Sequence, residues 1–342
     1  MADTGSLRRK FTILVILLLP LLVLSSIILP FYVFGNEEFN AGQRTSNSTS
    51  NSAENDILQP WENSRIIIEA FRKAYPEIVE ETAFRNDDWA LRIGARWFFW
   101  AAGKLLPEEA LPDSEKYSKY PFYPYPETLP PLREFNPAEI EVLEQRLAER
   151  SSSGRSRHPG ILDALWGIHN KQTGDRKVKT MYFLGKAVNV HRNILEDLAR
   201  VEERLYEFAE SNRELADYMN SISHVTAYNW RNIASSANRS LHAYGIAIDF
   251  LPASYDEEQI YWLWARASGL PWYNLPYSER LMPPESFVRI FEDEGFIWGG
   301  KWLYFDTIHF EYRPEILIIN GLRSSNFDVG SYRILMSAVI EL

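Results

Sequence analysis

The chain has 342 residues, 46% of them hydrophobic and 24% charged, which is enough apolar material for a packed core. Its 46 acids outnumber its 36 bases and leave a net charge of −10, which excludes a nucleic-acid partner held by a basic surface. There is no cysteine, so disulfides, thiolate metal sites, iron–sulfur clusters and a thiol nucleophile are excluded, and any metal must sit on His, Asp or Glu.

Residues 11–34 carry no charge and are rich in Leu, Ile and Val; Arg8, Arg9 and Lys10 precede them, and Glu37 and Glu38 follow. At about 1.5 Å per residue, a helix of this length spans the roughly 30 Å hydrocarbon core of a bilayer. The basic flank places the N-terminus in the cytoplasm. The run is longer than the roughly 7–15 residues of a signal-peptide core. Residues 1–35 are therefore expected to be a short cytoplasmic stub and an uncleaved transmembrane anchor. A signal peptide cleaved near Val33 or Gly35 is the competing reading. In both readings the rest is exported, which makes the expected location the cell membrane, single-pass, with the catalytic part in the periplasm or cell-wall space. Residues 36–57, rich in Asn, Ser, Thr and Glu, form a flexible linker. The glycosylation acceptor pattern at Asn47 is attributed to that composition.

Residues 58–150 form an accessory region. The spacing of Ile66, Ile67, Ala70, Phe71 and Tyr75 predicts a helix over 62–80. Trp89 to Ala101, around Gly94, predicts a hairpin. Residues 107–137 hold eight of the 19 prolines, interleaved with Tyr117, Tyr120, Phe122, Tyr123 and Tyr125. That proline density forbids a helix or a central strand, so an extended strap packed by its aromatics is expected. Asn136, Pro137 and Glu139 mark a helix start. The Ser/Gly/Arg-rich loop 151–157 marks a boundary, with a second domain over 151–342. There the periodicity predicts a long helix over about 188–210, on Ile194, Leu198, Val201, Leu205 and Phe208. Ser254 and Glu257 are spaced as a capping box for a helix ending near Gly269, and Pro284–Glu294 reads as a short helix stopped at Gly295.

The chemistry lies in two clusters. Of six histidines, His158, His169, His191 and His224 have no suggestive surroundings. His242 precedes Gly245, a turn residue, and the alternating strand Ile246–Phe250. Asp249 then shares a face with the small Ala247, opposite Ile246, Ile248 and Phe250. The second cluster runs from Phe296 through the turn Gly299-Gly300 to Asp306, His309, Phe310 and Glu311. Residues three apart on a strand point to opposite faces, so Asp306 shares a site with His309 only from a loop or bulge ahead of the strand. Two histidines, one aspartate and a water would complete a catalytic zinc site. The alternative leaves all three as ordinary structural residues.

The wider pattern carries more information. Ser240, His242, Gly245, Ala247 and Asp249, then Gly295, Phe296, Trp298, Gly299, Gly300 and Trp302, then Asp306, His309, Phe310 and Glu311 occur in order. This series resembles the zinc D-Ala-D-Ala carboxypeptidase and L-alanyl-D-glutamate endopeptidase family, peptidoglycan metallopeptidases, over about residues 185–315. The resemblance implies an α+β domain, a small antiparallel sheet with flanking helices carrying zinc on His242, Asp249 and His309. It implies Asp306 as the catalytic acid/base. Tyr228-Asn229-Trp230-Arg231 looks like the family segment whose arginine contacts substrate, which gives that role to Arg231, with Arg239 as its rival. Glu311 is either an outer-sphere partner of a ligand or a solvent-facing strand residue. Trp298, Trp302 and Tyr244 either wall a cleft or pack in the core. The implied substrate is the peptidoglycan stem peptide. Asp rather than Glu at 306 tilts the expectation towards L-alanyl-D-glutamate cleavage, with D-alanyl-D-alanine carboxypeptidase as the alternative. A non-catalytic wall-binding or envelope interaction protein is the reading from another class. The acceptor pattern at Asn238 is attributed to chance, since a sugar there would obstruct the site.

Overall fold

The computed structural model describes residues 63–323, apart from 153–154, 234–235 and 256–257. The expected anchor and linker, Asn47 and Glu257 lie outside the described residues. Among those described, no helix is long and apolar enough to cross a membrane.

Helix α1 (Ser64–Ala74) starts where the Asn63 side chain accepts a hydrogen bond from Ile66 N at 3.2 Å, and it buries Ile67, Ile68, Ala70 and Phe71. It ends at Tyr75 rather than running to 80, because Pro76 disfavours helical backbone at the residue before it. A four-stranded antiparallel meander follows: β1 (Glu81–Arg85), β2 (Asp88–Ile93), β3 (Arg96–Phe99) and β4 (Leu106–Pro107). The hairpin expected around Gly94 is β2–β3. Strand β1 went unpredicted because it is an edge strand with no buried face to imprint an alternation.

The proline-rich strap begins with a 3-10 segment over Glu108–Lys116 that includes Pro112, where an extended chain was expected. Residues 118–136 then have no helix or strand, and Tyr120, Phe122, Tyr123 and Tyr125 are buried. Helix α2 (Pro137–Ser152) has reciprocal caps: Glu139 N donates to Asn136 Oδ1 at 3.0 Å and Asn136 N to Glu139 Oε2 at 2.9 Å.

Helices α3 (Gly160–Trp166) and α4 (Lys171–Lys177) lead to a hairpin, β5 (Val178–Phe183) and β6 (Lys186–His191). This corrects the helix expected from 188. Helix α5 covers Leu195–Ala209 only. Residues 186–191 instead bury Val188 and Val190 on one face, a period of two that the longer helical stripe obscured. Ile194, Leu198, Val201 and Leu205 are buried as expected, but Phe208 is 54% exposed. Helix α6 (Arg213–Ser221) then feeds the central sheet.

That sheet is antiparallel, in the order β7-β8-β10-β9, from β7 (Ile222–Thr226), β8 (Ala247–Pro252), β9 (Phe296–Trp298) and β10 (His309–Tyr312). Between β8 and β9 lie α7 (Trp262–Ala267) and α8 (Glu285–Asp293); α9 (Pro314–Ile319) follows β10. The helix expected from a cap at Ser254 begins only at Trp262. One face of the sheet is apolar: Phe250 and Phe310 pack on Phe287 and Phe291 of α8, the Phe291 and Phe310 rings 4.6 Å apart. Residues on both sides of 151–157 share this core, which joins Phe71 and Phe122 to Trp166, Phe250 and Phe310, and α1 packs against α9. A second apolar cluster, around Trp262, Trp272, Tyr304 and Phe305, sits beside it.

Candidate metal centre

The centre is built on the opposite face of the β7-β8-β10-β9 sheet. Asp249 of β8 and His309 of β10 are direct cross-strand partners. Directly opposed side chains share a face, with Cβ atoms about 4.5–5.5 Å apart. Thr226 of β7 flanks Asp249 on the other side. His242 arrives from a 3-10 turn, Leu241–Tyr244, capped by the Ser240 side chain and ended by Gly245 in the left-handed region (φ +68°). A Cβ at 245 would lie 2.8 Å from His191 N, so both the backbone conformation and the space require glycine.

His242, Asp249 and His309 are 2%, 4% and 0% exposed, and one ligand atom from each lies within 4.8 Å of the others. Each imidazole has one nitrogen tied off and the other turned inward. His242 Nδ1–H donates to Ala227 O at 2.6 Å, which leaves the lone pair on Nε2. Nε2 faces Asp249 Oδ2 at 3.3 Å, too poorly aligned for a hydrogen bond. His309 Nε2 meets Glu311 Oε1 at 3.0 Å, and Nδ1 meets Asp249 Oδ1 at 2.7 Å. A carboxylate behind a ligating histidine fixes its tautomer and its aim. The orphaned Nε2 of His242 and the convergence of two imidazoles on one carboxylate fit a divalent cation of the zinc type.

The electrostatics agree. Burial acts to raise the Asp249 carboxyl, but His242 and His309 outweigh it and hold it well below the usual carboxylate range. Burial acts to lower His309, yet hydrogen bonds to Asp249 and Glu311 and their charges push it up to about 10. The pocket therefore attracts positive charge before any metal arrives.

Asp306 lies in the loop ahead of β10, as the spacing required. Its N–H donates to Gly299 O at 3.1 Å, and its own carbonyl accepts from His309 N at 3.3 Å. A Cβ on Gly299 would sit 2.6 Å from Asp306 O, so this approach depends on glycine. Asp306 is 1% exposed, and neither carboxylate oxygen has a hydrogen-bond partner among the described residues. Burial, with Asp249 and Glu311 nearby, pushes its carboxyl well above the usual range against His309 and Arg231.

The two arginines separate clearly. Arg231 is half-buried and feels the charges of Asp249 and Asp306. Arg239 points elsewhere: Nη1 donates to Asp163 Oδ1 at 2.5 Å and to Tyr244 Oη at 2.9 Å, and the guanidinium lies 4.7 Å over the Trp230 ring. Trp298, Trp302 and Tyr244 are buried packing residues; Trp302 lies 5.9 Å from the His309 ring, and Trp298 Nε1–H ties Thr307 O at 2.8 Å. Glu311 is not solvent-facing but 0% exposed. The acceptor pattern at Asn238 is engaged: its Oδ1 accepts from Arg157 N at 2.6 Å and its Nδ2 donates to Ser236 Oγ at 2.8 Å. Sequence reasoning missed Arg313 and Glu315, whose signal was the continued alternation of charge after His309.

Residues 234–312 match the family described as D-alanyl-D-alanine carboxypeptidase, a span that holds His242, Asp249, Asp306 and His309 and stops short of Arg231. This supports a peptidase-type hydrolase related to peptidoglycan metallopeptidases. Residues 67–122 match a domain of unknown function. No curated protein and no solved structure matches the chain.

Proposed function

We propose that this chain is a zinc-dependent peptidase that hydrolyses the peptide stems of peptidoglycan, tethered to the membrane by its N-terminal apolar segment with the catalytic region on the exported side. The observation that carries the reading is the convergence of His242, Asp249 and His309 beside a buried Asp306 whose oxygens have no hydrogen-bond partner among the described residues. Bound on those three side chains, zinc would supply Lewis acidity towards water and the scissile carbonyl. Asp306 takes a proton from the attacking water and returns it to the leaving amine. Arg231 stabilises the carbonyl oxygen as it gains charge. Glu311 keeps His309 aimed from behind.

Within that class we favour endopeptidase cleavage of the L-alanyl-D-glutamate bond, on the Asp at 306. The description of the matching family favours the second reading, removal of a terminal D-Ala. Mass spectrometry of purified stem peptides after incubation separates them: loss of one alanine residue marks the carboxypeptidase, and a fragment beginning at D-Glu marks the endopeptidase. Intact peptides with zinc bound would overturn the catalytic reading in favour of a wall-binding module.

A further inference from the structure

Behind His309 runs a line of buried charge that continues past Glu311 to residues the hydrolytic step does not use. Glu311, Arg313 and Glu315 are 0%, 1% and 0% exposed. Glu311 Oε1 meets His309 Nε2, and Arg313 Nη1 lies 3.8 Å from Glu311 Oε2. Arg313 Nε donates to Glu315 Oε1 in a close ion pair. The line then reaches the N-terminal stretch of the chain. Tyr75, at the end of α1, donates its hydroxyl to Glu315 Oε2 at 2.7 Å. Arg313 Nη2 donates to Pro121 O at 3.2 Å, and its guanidinium lies 5.0 Å over the Tyr120 ring. Burial, with Glu315 beside it, keeps the Tyr75 phenol protonated and so a donor.

Three fully buried charges are a poor stability device. Desolvation offsets their attraction, and apolar side chains of similar volume commonly serve the fold as well or better. What the line reaches, across the 3.8 Å ion pair between Arg313 Nη1 and Glu311 Oε2, is one imidazole. The Pro121 carbonyl, Tyr75 and Tyr120 all come from the stretch that matches a domain of unknown function.

We propose that Arg313, Glu315 and Tyr75 are positioning residues that act on His309 through Glu311, and that residues 67–122 are thereby a working part of the metal centre rather than an appended binding module. This rests on the metal reading above.

The test uses the full chain, 15N-labelled at histidine, with zinc alone as the probe. The His309 Nε2–H resonance is read without and with zinc, and zinc affinity is measured by chelator competition. Outer-sphere partners of metal ligands are commonly worth roughly 10–100-fold in affinity. Glu315→Gln should weaken zinc binding roughly tenfold, the low end of that scale, and Tyr75→Phe, one contact further out, by less, each moving the resonance. The control is Tyr125→Phe, which removes a buried tyrosine–carboxylate pair of the same kind, with Glu292, off this line. It should lower the melting temperature and leave resonance and affinity unchanged. Glu315→Gln and Tyr75→Phe behaving like that control would overturn the inference. A wild-type chain that takes up no zinc would instead sink the reading of the centre itself. The resonance measured without metal would still decide whether the line holds His309.

Discussion

Two buried polar clusters of the structure are finished differently. In the first, Lys301 Nζ donates to Glu292 Oε1 at 2.6 Å and to the carbonyls of Pro126 and Glu127 at 3.1 and 2.7 Å. Tyr125 donates to the same Glu292 oxygen and accepts from Trp298 N at 2.8 Å. Its charges are matched and its donors used, and it pins the proline-rich strap to β9. In the second, His242 Nε2 and both oxygens of Asp306 have no hydrogen-bond partner among the described residues. A protein interior tolerates such atoms only at a cost of about 1–3 kcal/mol each. The closed cluster is architecture; the open one awaits something from outside the chain.

The contrast can be broken by substitution, and the effects should differ in kind. Asp306→Asn should leave zinc stoichiometry intact and cut turnover by roughly 10²–10⁴-fold, the range of a general acid/base; loss of the metal together with activity would make Asp306 a ligand instead. Lys301→Met should do the reverse, leaving Glu292 buried without its cation at a cost of about 3–5 kcal/mol by chemical denaturation, with zinc stoichiometry unchanged.

A third cluster sharpens the comparison through pH. His191 is 1% exposed, and burial, with Lys177 and Arg192 nearby, depresses it to about 4 despite its bond to Trp166 O. The unfolded chain, titrating near 6.5, binds the proton that the folded chain refuses between those values. His191 therefore contributes stability that is present above about pH 6.5 and is lost as pH falls towards 4, by about 3 kcal/mol in total. Denaturation curves across that window should show the loss, and His191→Gln should flatten it. The smallest effect separates the two arginines. Arg231→Ala should slow turnover roughly 10²-fold with little change in stability. Arg239→Ala should lower the melting temperature more than the rate, and the opposite ranking would exchange their roles.

The motif residues were legible because each had a local reason. Glycine at 245 and 299 marked the tight approaches, alternation placed Asp249, and the odd spacing from Asp306 to His309 demanded a loop. The strap was legible from proline and aromatic content. The β5–β6 hairpin was not, because Val190 continues almost in phase with the helical stripe that follows and only Val188 breaks it. The tie from Glu315 to Tyr75 was not legible either. It joins residues 240 positions apart through burial, and nothing near Tyr75 hints at a carboxylate.

The pairing of residue 249 with residue 309 also sets an order of events. Sixty positions of chain must be gathered before those two groups become neighbours, and a loop that long closes late. A nascent or truncated polypeptide ending before β10 has no complete cage to offer, so the ion is installed only once β10 has paired. Fragments lacking β10 should be blind to zinc at any concentration that loads the whole protein.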